Sequence, residues 1–194
     1  MLAVGGEATV LWGRDRALME EMVQCRENRR YLPGWSMAAA VRPTADMAAA
    51  LHDAALVVLA IPCQRLAEFL REHATLFPEG AVVVCASKGV EQGSLRTMGQ
   101  VVAAELGARR RYAVLSGPSF AAGVMAGQPT AVVLGCADTS LGEGIQKRFS
   151  SALFRVYGTL DVLGVELAGA LKNVMAIAAG LADGLGFGAN ARAA

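Results

Sequence analysis

The sequence has few of the residues that build metal sites. It contains two histidines, and its four cysteines, at 25, 63, 85 and 136, are far apart and form no C-x-x-C pair. This spacing does not match a zinc site, so we predict no bound metal. Cys85 and Cys136 lie at the ends of apolar runs, where a free thiol behaves as a small hydrophobic group. We therefore expect unpaired cysteines and a cytoplasmic location, where thiols stay reduced.

An excess of charge of one sign is also absent. The 194 residues include 18 Lys+Arg and 17 Asp+Glu, and the longest basic run is the arginine triplet at 109–111. This balance provides no one-sided positive surface for a phosphate backbone, so we predict no nucleic-acid partner. Because 54% of the residues are hydrophobic, we expect a globular chain rather than a disordered one.

Uninterrupted apolar runs are short. The longest, residues 174–182, is about half of the ~20 residues that cross a bilayer, and charged residues lie on both sides of it. Near the N-terminus, Gly5, Gly6 and Glu7 interrupt the chain before an apolar region of signal-peptide length can form. We therefore predict neither an integral membrane segment nor a signal peptide.

The main positive feature is an alternation of β-branched runs with longer helix-like stretches. Runs such as residues 56–61 are apolar without alternation, which is typical of parallel strands covered by helices on both faces. The pattern predicts an α/β fold with a doubly wound, Rossmann-like, mostly parallel sheet. Its predicted strands are 9–12, 56–61, 81–85, 112–115 and 131–134, and its predicted helices are 16–26, 64–73, 95–106, 119–126 and 140–149.

The pattern changes after Gly158. A single helical stretch, residues 162–185, is rich in alanine and glycine and has no strand after it. One helix cannot bury its apolar face alone, so it predicts the start of a second, helical domain. We divide the chain into a partial dinucleotide-binding domain, 1–158, and the first helix of an all-α domain, 159–194.

A glycine-rich phosphate loop is missing from the front of the chain. Dinucleotide-binding sheets open with a strand followed by G-x-G-x-x-G, whereas here Gly5 and Gly6 precede the first predicted strand. The first strand of such a sheet lies between the second and the fourth. We therefore expect the sheet to be incomplete at that strand, with two apolar edges uncovered in its middle.

The turn after residues 9–12 lies where such folds meet the adenine-side ribose of the cofactor. An acid such as Asp15 would accept a hydrogen bond from the ribose 2′-hydroxyl, whereas Arg14 would pair with a 2′-phosphate. Arg14 thus favours NADP over NAD as the cofactor. A solvated loop arginine is the alternative reading of the same residue.

Two further segments follow predicted strands, at the edge where ligands of open α/β sheets bind. Lys88 follows one buried strand, and can either reach that crevice or lie on the surface. Gly117 follows another, and allows the backbone to approach a ligand closely. Ser119 is a predicted helix N-cap, with or without a bound anion.

Lys172 lies inside an otherwise apolar helix, where an ammonium group is costly unless it is paired or faces a cleft. We predict a partly buried lysine whose pKa falls towards the range of a proton donor. The alternative is a lysine that extends outward from a helix packed through its alanine face. Helical spacing places Lys172 on a stripe of small residues with Gly164, Ala168, Ala176, Ala179 and Asp183.

Six blocks in order resemble the bacterial NAD(P)-dependent glycerol-3-phosphate dehydrogenases. They are spread in order over nearly the whole chain, and this order makes the resemblance specific. The blocks are LWGRD at 11–15, ENRRYLPG at 27–34, SKG at 87–89, LSGPSF at 115–120, FRVY at 154–157 and GVELAGALKNV at 164–174.

The resemblance implies reversible hydride transfer between NAD(P)H and dihydroxyacetone phosphate, which gives sn-glycerol 3-phosphate for phospholipid synthesis. It implies that Lys172 is the catalytic lysine, polarising the carbonyl and protonating its oxygen. Lys88 would touch both cofactor and substrate. Gly117, Ser119 and Asn173 would contact the substrate, and Arg14, Asp15, Tyr31 and Ala121 would contact the cofactor.

The sequence also departs from the family pattern. It lacks the glycine-rich loop, residues 1–4 align with the end of the family's first helix, and Ala189 stands where an acid is usual. The downstream Asp and Arg-Asn segment that grips the substrate phosphate is not in the sequence. We therefore expect a truncated form with weakened binding, which in full length would be a homodimer. A related 2-hydroxy acid or ketopantoate-type dehydrogenase, and a non-catalytic remnant of the fold, remain alternatives.

Overall fold

The structure is a computed structural model that describes residues 6–193. The expectation for residues 1–4 lies outside this range. The strands are β1 (Thr9–Trp12), β2 (Glu27–Asn28), β3 (Leu32–Ser36), β4 (Val41–Thr44), β5 (Leu56–Leu59), β6 (Val82–Cys85), β7 (Tyr112–Ser116), β8 (Thr130–Gly135) and β9 (Phe154–Thr159). The helices are α1 (Arg16–Cys25), α2 (Met47–Leu51), α3 (Cys63–His73), α4 (Met98–Leu106), α5 (Ala121–Met125), α6 (Thr139–Phe149), α7 (Val162–Gly184) and α8 (Ala189–Ala193), with a 3₁₀ turn at Ala74–Leu76.

The main sheet has five strands in the order β5-β6-β7-β8-β9. All neighbours in it are parallel except β7 and β8, which run antiparallel. Together with the helices that pack on the sheet, this arrangement confirms the prediction of an α/β fold with a Rossmann-like, mostly parallel sheet.

A smaller parallel pair, β1 and β4, stands apart from the main sheet, and β2 and β3 form an antiparallel hairpin. Within residues 6–193, β1 pairs only with β4, and β5 pairs only with β6. Leu11 on β1 and Val58 on β5 are each 40% exposed. The expectation of uncovered strand edges is therefore met at β1 and β5.

The core lies on both faces of β6, because every residue of this strand is buried. Val83 and Cys85 belong to a cluster with Leu66, Leu70 and Val101, from α3 and α4. Val82 and Val84 belong to the other cluster, which contains Ile145 and Phe149 of α6. A strand buried on both faces needs no alternation of polar residues, which explains its continuous apolar sequence.

Helix boundaries differ from the prediction where a capping residue sets the first turn. The stretch 95–106 becomes a helix only from Met98, because Thr97 and Gln100 form a capping box that defines its start. The stretch 119–126 becomes a helix only from Ala121, and Phe120 occupies its N-cap position. The prediction that Ser119 caps this helix is therefore wrong.

Six helices and strands were not predicted: β2, β3, β4, α2, β9 and α8. The segment of β3 contains Pro33 and Gly34, and β4 contains Pro43, all of which favour turns in a sequence pattern. Their strands form because each has one partner, β2 or β1, and can leave its other edge free. In β9, buried Phe154 and Val156 alternate with exposed Arg155 and Tyr157, so this strand shows a short period-2 pattern and no continuous apolar run.

Helix α7 extends for 23 residues, in agreement with the predicted stretch, and the side chain of Asp161 caps its N-terminus. By length and composition alone it is long and apolar enough to cross a membrane, so the prediction of no integral membrane segment is not confirmed and stays a prediction. That prediction counted only the uninterrupted run after Lys172, whereas the helix as a whole is apolar despite its few charged residues.

Candidate functional site

Hydrogen bonds and a constrained glycine hold the backbone that follows β6, from which the Lys88 side chain extends. The hydroxyl of Ser87 donates to the carbonyl of Ile61 at 2.5 Å and accepts from the Ile61 N–H at 3.2 Å, which ties this edge to the segment after β5. Gly89 has φ +138, and a Cβ there would lie 2.6 Å from the Cys63 sulfur. Only glycine suits this conformation and this space, so the backbone on both sides of Lys88 is constrained.

Lys88 points across the carboxyl edge of the sheet. Its Nζ donates to the carbonyl oxygen of Gly117, just beyond β7, at 2.7 Å. Burial lowers the pKa of Lys88, and the charge of Lys172 lowers it further. The two lysines come from different elements, since Lys88 follows β6 and Lys172 lies on α7.

Gly117 is required by a close contact within the protein. Its φ is +151, and a Cβ at this position would lie 2.8 Å from Cα of Val132 on β8. The expected close approach is therefore to a neighbouring strand. Ser119 is exposed, and its N–H donates to the Gly117 carbonyl at 3.0 Å. Ala121 is the exposed first residue of α5, next in the chain on the same side.

Helix α7 packs against this edge through one face. A Cβ at buried Gly169 would lie 2.8 Å from Oγ of Ser116 and 3.6 Å from Cγ of Lys88. One turn further along the helix, Nζ of Lys172 donates to Oδ1 of Asn173 at 2.6 Å. The helix thus brings Lys172 and Asn173 to the end of the sheet that carries Lys88 and Gly117.

The prediction that Lys172 is partly buried is wrong, because its side chain is exposed in the structure. The predicted stripe through Ala168 and Lys172 is not the packed face. Instead the helix packs through positions 162, 165, 166, 169 and 170, of which Glu166 and Gly169 are the buried ones. Since Glu166 and Gly169 make the close contacts with β7 and α4, the helix is turned so that Lys172 lies beside the packed face.

A second cluster lies at the end of β1, where the NADP prediction was made. Asp15 caps α1 by accepting from the Leu18 N–H at 3.1 Å, and its other oxygen pairs with Arg30 at 3.1 Å. The Arg30 guanidinium lies 5.2 Å from the centre of the Tyr31 ring, which is 67% exposed. Arg14 is exposed at the same turn. The structure therefore brings Arg14, Asp15 and Tyr31 together.

Three contributors to these clusters were not singled out from the sequence: Arg30, Ser116 and Gly169. Arg30 lies in the resembling block at 27–34, but only the fold brings it to Asp15, which is 15 positions earlier. Gly169 sits among alanines, so no local signal separates it from other small residues of α7. A glycine three residues before a lysine in an apolar helix is the only sequence feature that points to it.

Comparisons with known proteins agree along the whole chain. The family model described as NAD-dependent glycerol-3-phosphate dehydrogenase N-terminus matches residues 1–142, and that of the C-terminus matches residues 161–194. The chain is 53% identical over 194 residues to a protein of Nitratidesulfovibrio vulgaris (strain DP4) named glycerol-3-phosphate dehydrogenase (NAD(P)+). A similarly named protein of Desulfovibrio desulfuricans is 51% identical over 195 aligned residues.

These two alignments cover all of this chain but 59% and 58% of the relatives. The crystal structure of a glycerol-3-phosphate dehydrogenase from Coxiella burnetii superposes with a TM-score of 0.88 at 35% identity. That match covers 99% of this chain and 58% of the other. The chain thus spans little more than half the length of the proteins it resembles.

Proposed function

The chain belongs to the NAD-dependent glycerol-3-phosphate dehydrogenase family, and from this premise we propose that it forms the sheet-edge part of an active site that interconverts dihydroxyacetone phosphate and sn-glycerol 3-phosphate with NAD(P)H. We place the product in glycerophospholipid synthesis. The four free cysteines support a reducing, cytoplasmic compartment. We divide the chain into a dinucleotide-binding part, 1–158, and the start of a helical substrate domain, 159–194.

The convergence of two lysines on one sheet edge carries this proposal. Lys88 and Lys172 come from different elements, yet Lys172 lies one helical turn beyond Gly169, which packs against Lys88, and its charge lowers the pKa of Lys88. Two ammonium groups at one sheet edge, whose acceptors are the neutral Gly117 carbonyl and Asn173 amide, favour a ligand that is negatively charged. A triose phosphate meets that requirement and carries the carbonyl on which the reaction takes place.

Lys172 is the proposed proton donor. Its ammonium would hydrogen-bond to the C2 oxygen of dihydroxyacetone phosphate, polarise the carbonyl, and pass a proton to that oxygen as C2 is reduced. In the reverse direction, the neutral amine takes the proton from the C2 hydroxyl. Asn173, whose Oδ1 accepts from Nζ at 2.6 Å, orients the lysine and contacts the substrate. Lys88, Gly117 and Ser119 line the substrate side of the same edge.

The residues at the end of β1 fit the adenosine end of the cofactor. Arg30 lies over the ring of Tyr31, and Arg14 is exposed at the turn that carries Asp15, the partner of Arg30. Asp15 is already engaged by the Leu18 N–H and by Arg30, so its charge is partly compensated. This donor set matches a 2′-phosphate, and we propose NADP rather than NAD. Lys88 and Ala121 would contact the cofactor further along the edge, and NADPH, when bound, would supply the hydride.

The role of Lys172 is tested by the Lys172→Met variant of the protein expressed from its complete reading frame. We expect turnover of dihydroxyacetone phosphate to fall by at least about 100-fold, because the general acid is lost. Cofactor affinity, measured by fluorescence titration, should stay within about twofold, because Lys172 lies away from the β1 cluster.

Lys147→Met is the matched control, since Lys147 is an exposed lysine on the distant helix α6. Turnover retained in Lys172→Met would disprove the role of this lysine. A panel that includes 2-hydroxy acids and ketopantoate tests the substrate: faster reduction of either than of dihydroxyacetone phosphate would disprove the proposed substrate.

A further inference from the structure

We propose that Glu166 is a positioning residue: its buried carboxyl group locks α7 onto the first turn of α4 and onto Tyr112, and thereby sets where Lys172 stands relative to Lys88. This inference rests on the proposed function for the importance of Lys172. The contacts of Glu166 with α4 and Tyr112 lie within the chain and do not depend on that function.

Glu166 is a buried charged residue, with 7% of its surface exposed. Its Oε1 accepts from the backbone N–H of Gly99 at 2.6 Å and from the hydroxyl of Tyr112 at 2.6 Å. A carboxyl group is expensive to bury unless it is hydrogen-bonded, so both donors are needed to hold it there. Burial raises the pKa of Tyr112 far above its usual range, which keeps its hydroxyl a donor.

The first turn of α4 is arranged to receive this carboxyl group. The capping box uses Thr97 to accept from the Gln100 N–H, and the Gln100 side chain accepts from the Thr97 N–H. The Gly99 N–H therefore stays available for Glu166, at the positive end of the helix. A Cβ on Gly99 would lie 3.1 Å from Oε1 of Glu166 and 3.0 Å from the Tyr112 ring, so any side chain there forces one of these two groups to move.

Only two residues of the long helix α7 are buried, Glu166 and Gly169. Gly169 permits close contact with Ser116 and Lys88 but makes no directional bond through a side chain. Glu166 provides the directional bonds. Lys172 follows Glu166 by six residues, about 9 Å along the helix axis, so a rotation or slide of α7 moves its ammonium group directly.

The pKa of Lys88 reports on the position of α7, so no catalytic assay is needed. Burial by the surrounding chain lowers its pKa first, and the charge of Lys172 lowers it second. Both effects weaken if α7 shifts away from the sheet edge, so the pKa of Lys88 should rise. The chain has three lysines, at 88, 147 and 172, so the acylation of each can be followed separately by mass spectrometry of its peptide.

The experiment is competitive acylation of the full 194-residue chain across a pH series. We expect Glu166→Leu to raise the pH midpoint of Lys88 acylation, in the same direction as Lys172→Met. The two changes combined should raise it by less than the sum of the single effects, because they act on the same pair. Glu166→Gln should stay close to the original midpoint, since its amide oxygen can accept both hydrogen bonds.

Glu143→Leu, the same substitution at an exposed position of α6, is the matched control and should leave Lys88 unchanged. If Glu166→Leu acted only by destabilising the fold, it would lower the unfolding temperature, and Glu166→Gln would not restore it. If Glu166→Leu does not fold, Gly99→Ala carries the test, because the added methyl group displaces the carboxyl while every hydrogen-bonding group remains. A midpoint for Lys88 that is unchanged in the folded variant would overturn the proposal.

Failure of this inference differs from failure of the proposed function. If Lys172→Met keeps its turnover, the catalytic role is refuted while the acylation result stands. If Lys172→Met is inactive but neither Glu166→Leu nor Gly99→Ala moves the Lys88 midpoint, the lysine is catalytic and Glu166 does not position it.

Discussion

Two positions of the site are glycine because a Cβ there would come too close to an atom of a neighbouring residue. Gly117 has φ +151 and would bring a Cβ within 2.8 Å of the Val132 backbone, and Gly169 would bring one within 2.8 Å of Ser116 Oγ. Backbone cannot yield as a flexible side chain can, so Gly117 is the less replaceable of the two. The turn after β7 can approach β8, and α7 can approach the end of β7, because neither glycine carries a side chain.

The charge cluster at the end of β1 makes a prediction about cofactor choice. We expect Arg30→Ala to weaken NADP binding by about tenfold and NAD binding by less than about twofold, since only NADP carries the 2′-phosphate. Arg14→Ala should act in the same direction. Fluorescence titration with each cofactor measures both constants.

The matched control for these variants is Arg155→Ala. Arg155 also lies over a tyrosine ring, that of Tyr157 at 5.4 Å, but on β9. It should change neither constant. An equal loss of NAD and NADP affinity in Arg30→Ala would show that this residue does not recognise the 2′-phosphate.

At the scale of elements, the N-terminus of α4 joins two features that the sequence shows separately. Thr97 and Gln100 are three residues apart, the spacing of a capping box, and they satisfy each other's backbone N–H groups. The turn that they define also offers the Gly99 N–H to Glu166 of α7. Local capping and the docking of a distant helix therefore depend on the same turn.

We expect Thr97→Ala to lower the free energy of unfolding by about 1 kcal/mol, because the capping hydrogen bond is lost at a buried position. Urea denaturation followed by circular dichroism measures the change. Thr75→Ala is the control at an exposed threonine of the 3₁₀ turn, where we expect a change within about 0.5 kcal/mol. Equal effects at both positions would show that the cap contributes nothing.

At the scale of the whole molecule, the β-structure is divided. The β1–β4 pair has no strand pairing with the five-stranded sheet among residues 6–193. Contact between the two parts includes the Trp12 ring, which lies 5.5 Å from the ring of Phe69 on α3. A two-stranded sheet is marginal without such packing, so the N-terminal part should open at a lower free energy than the β6–β7 core.

Tryptophan fluorescence offers a direct test, because both tryptophans, Trp12 and Trp35, lie on strands of the N-terminal part. We expect their fluorescence transition in urea to precede the loss of helical circular dichroism. Phe69→Ala removes the contact with the Trp12 ring and should widen the gap between the two transitions. Coincident transitions would instead indicate a single cooperative unit.

Much of the fold followed from patterns within short stretches. Buried parallel strands are apolar along their whole length, so β5, β6 and β8 were recognisable, as were α1, α3 and α6 from their spacing. Strands such as β3 and β4 escaped because they contain proline or glycine and are stabilised by a single partner. Their pairing depends on contacts that no window of sequence displays.

The kind of residues at the site was readable from the chain: a lysine after β6, a glycine and a serine after β7, a lysine and an asparagine in an apolar helix. Their mutual arrangement was not. The rotation of α7 depends on Glu166, Gly99 and Tyr112, which lie far apart along the chain and meet only through packing. Local spacing determines which residues share a helix face, but long-range contacts choose the face that is buried, and here they leave Lys172 beside it.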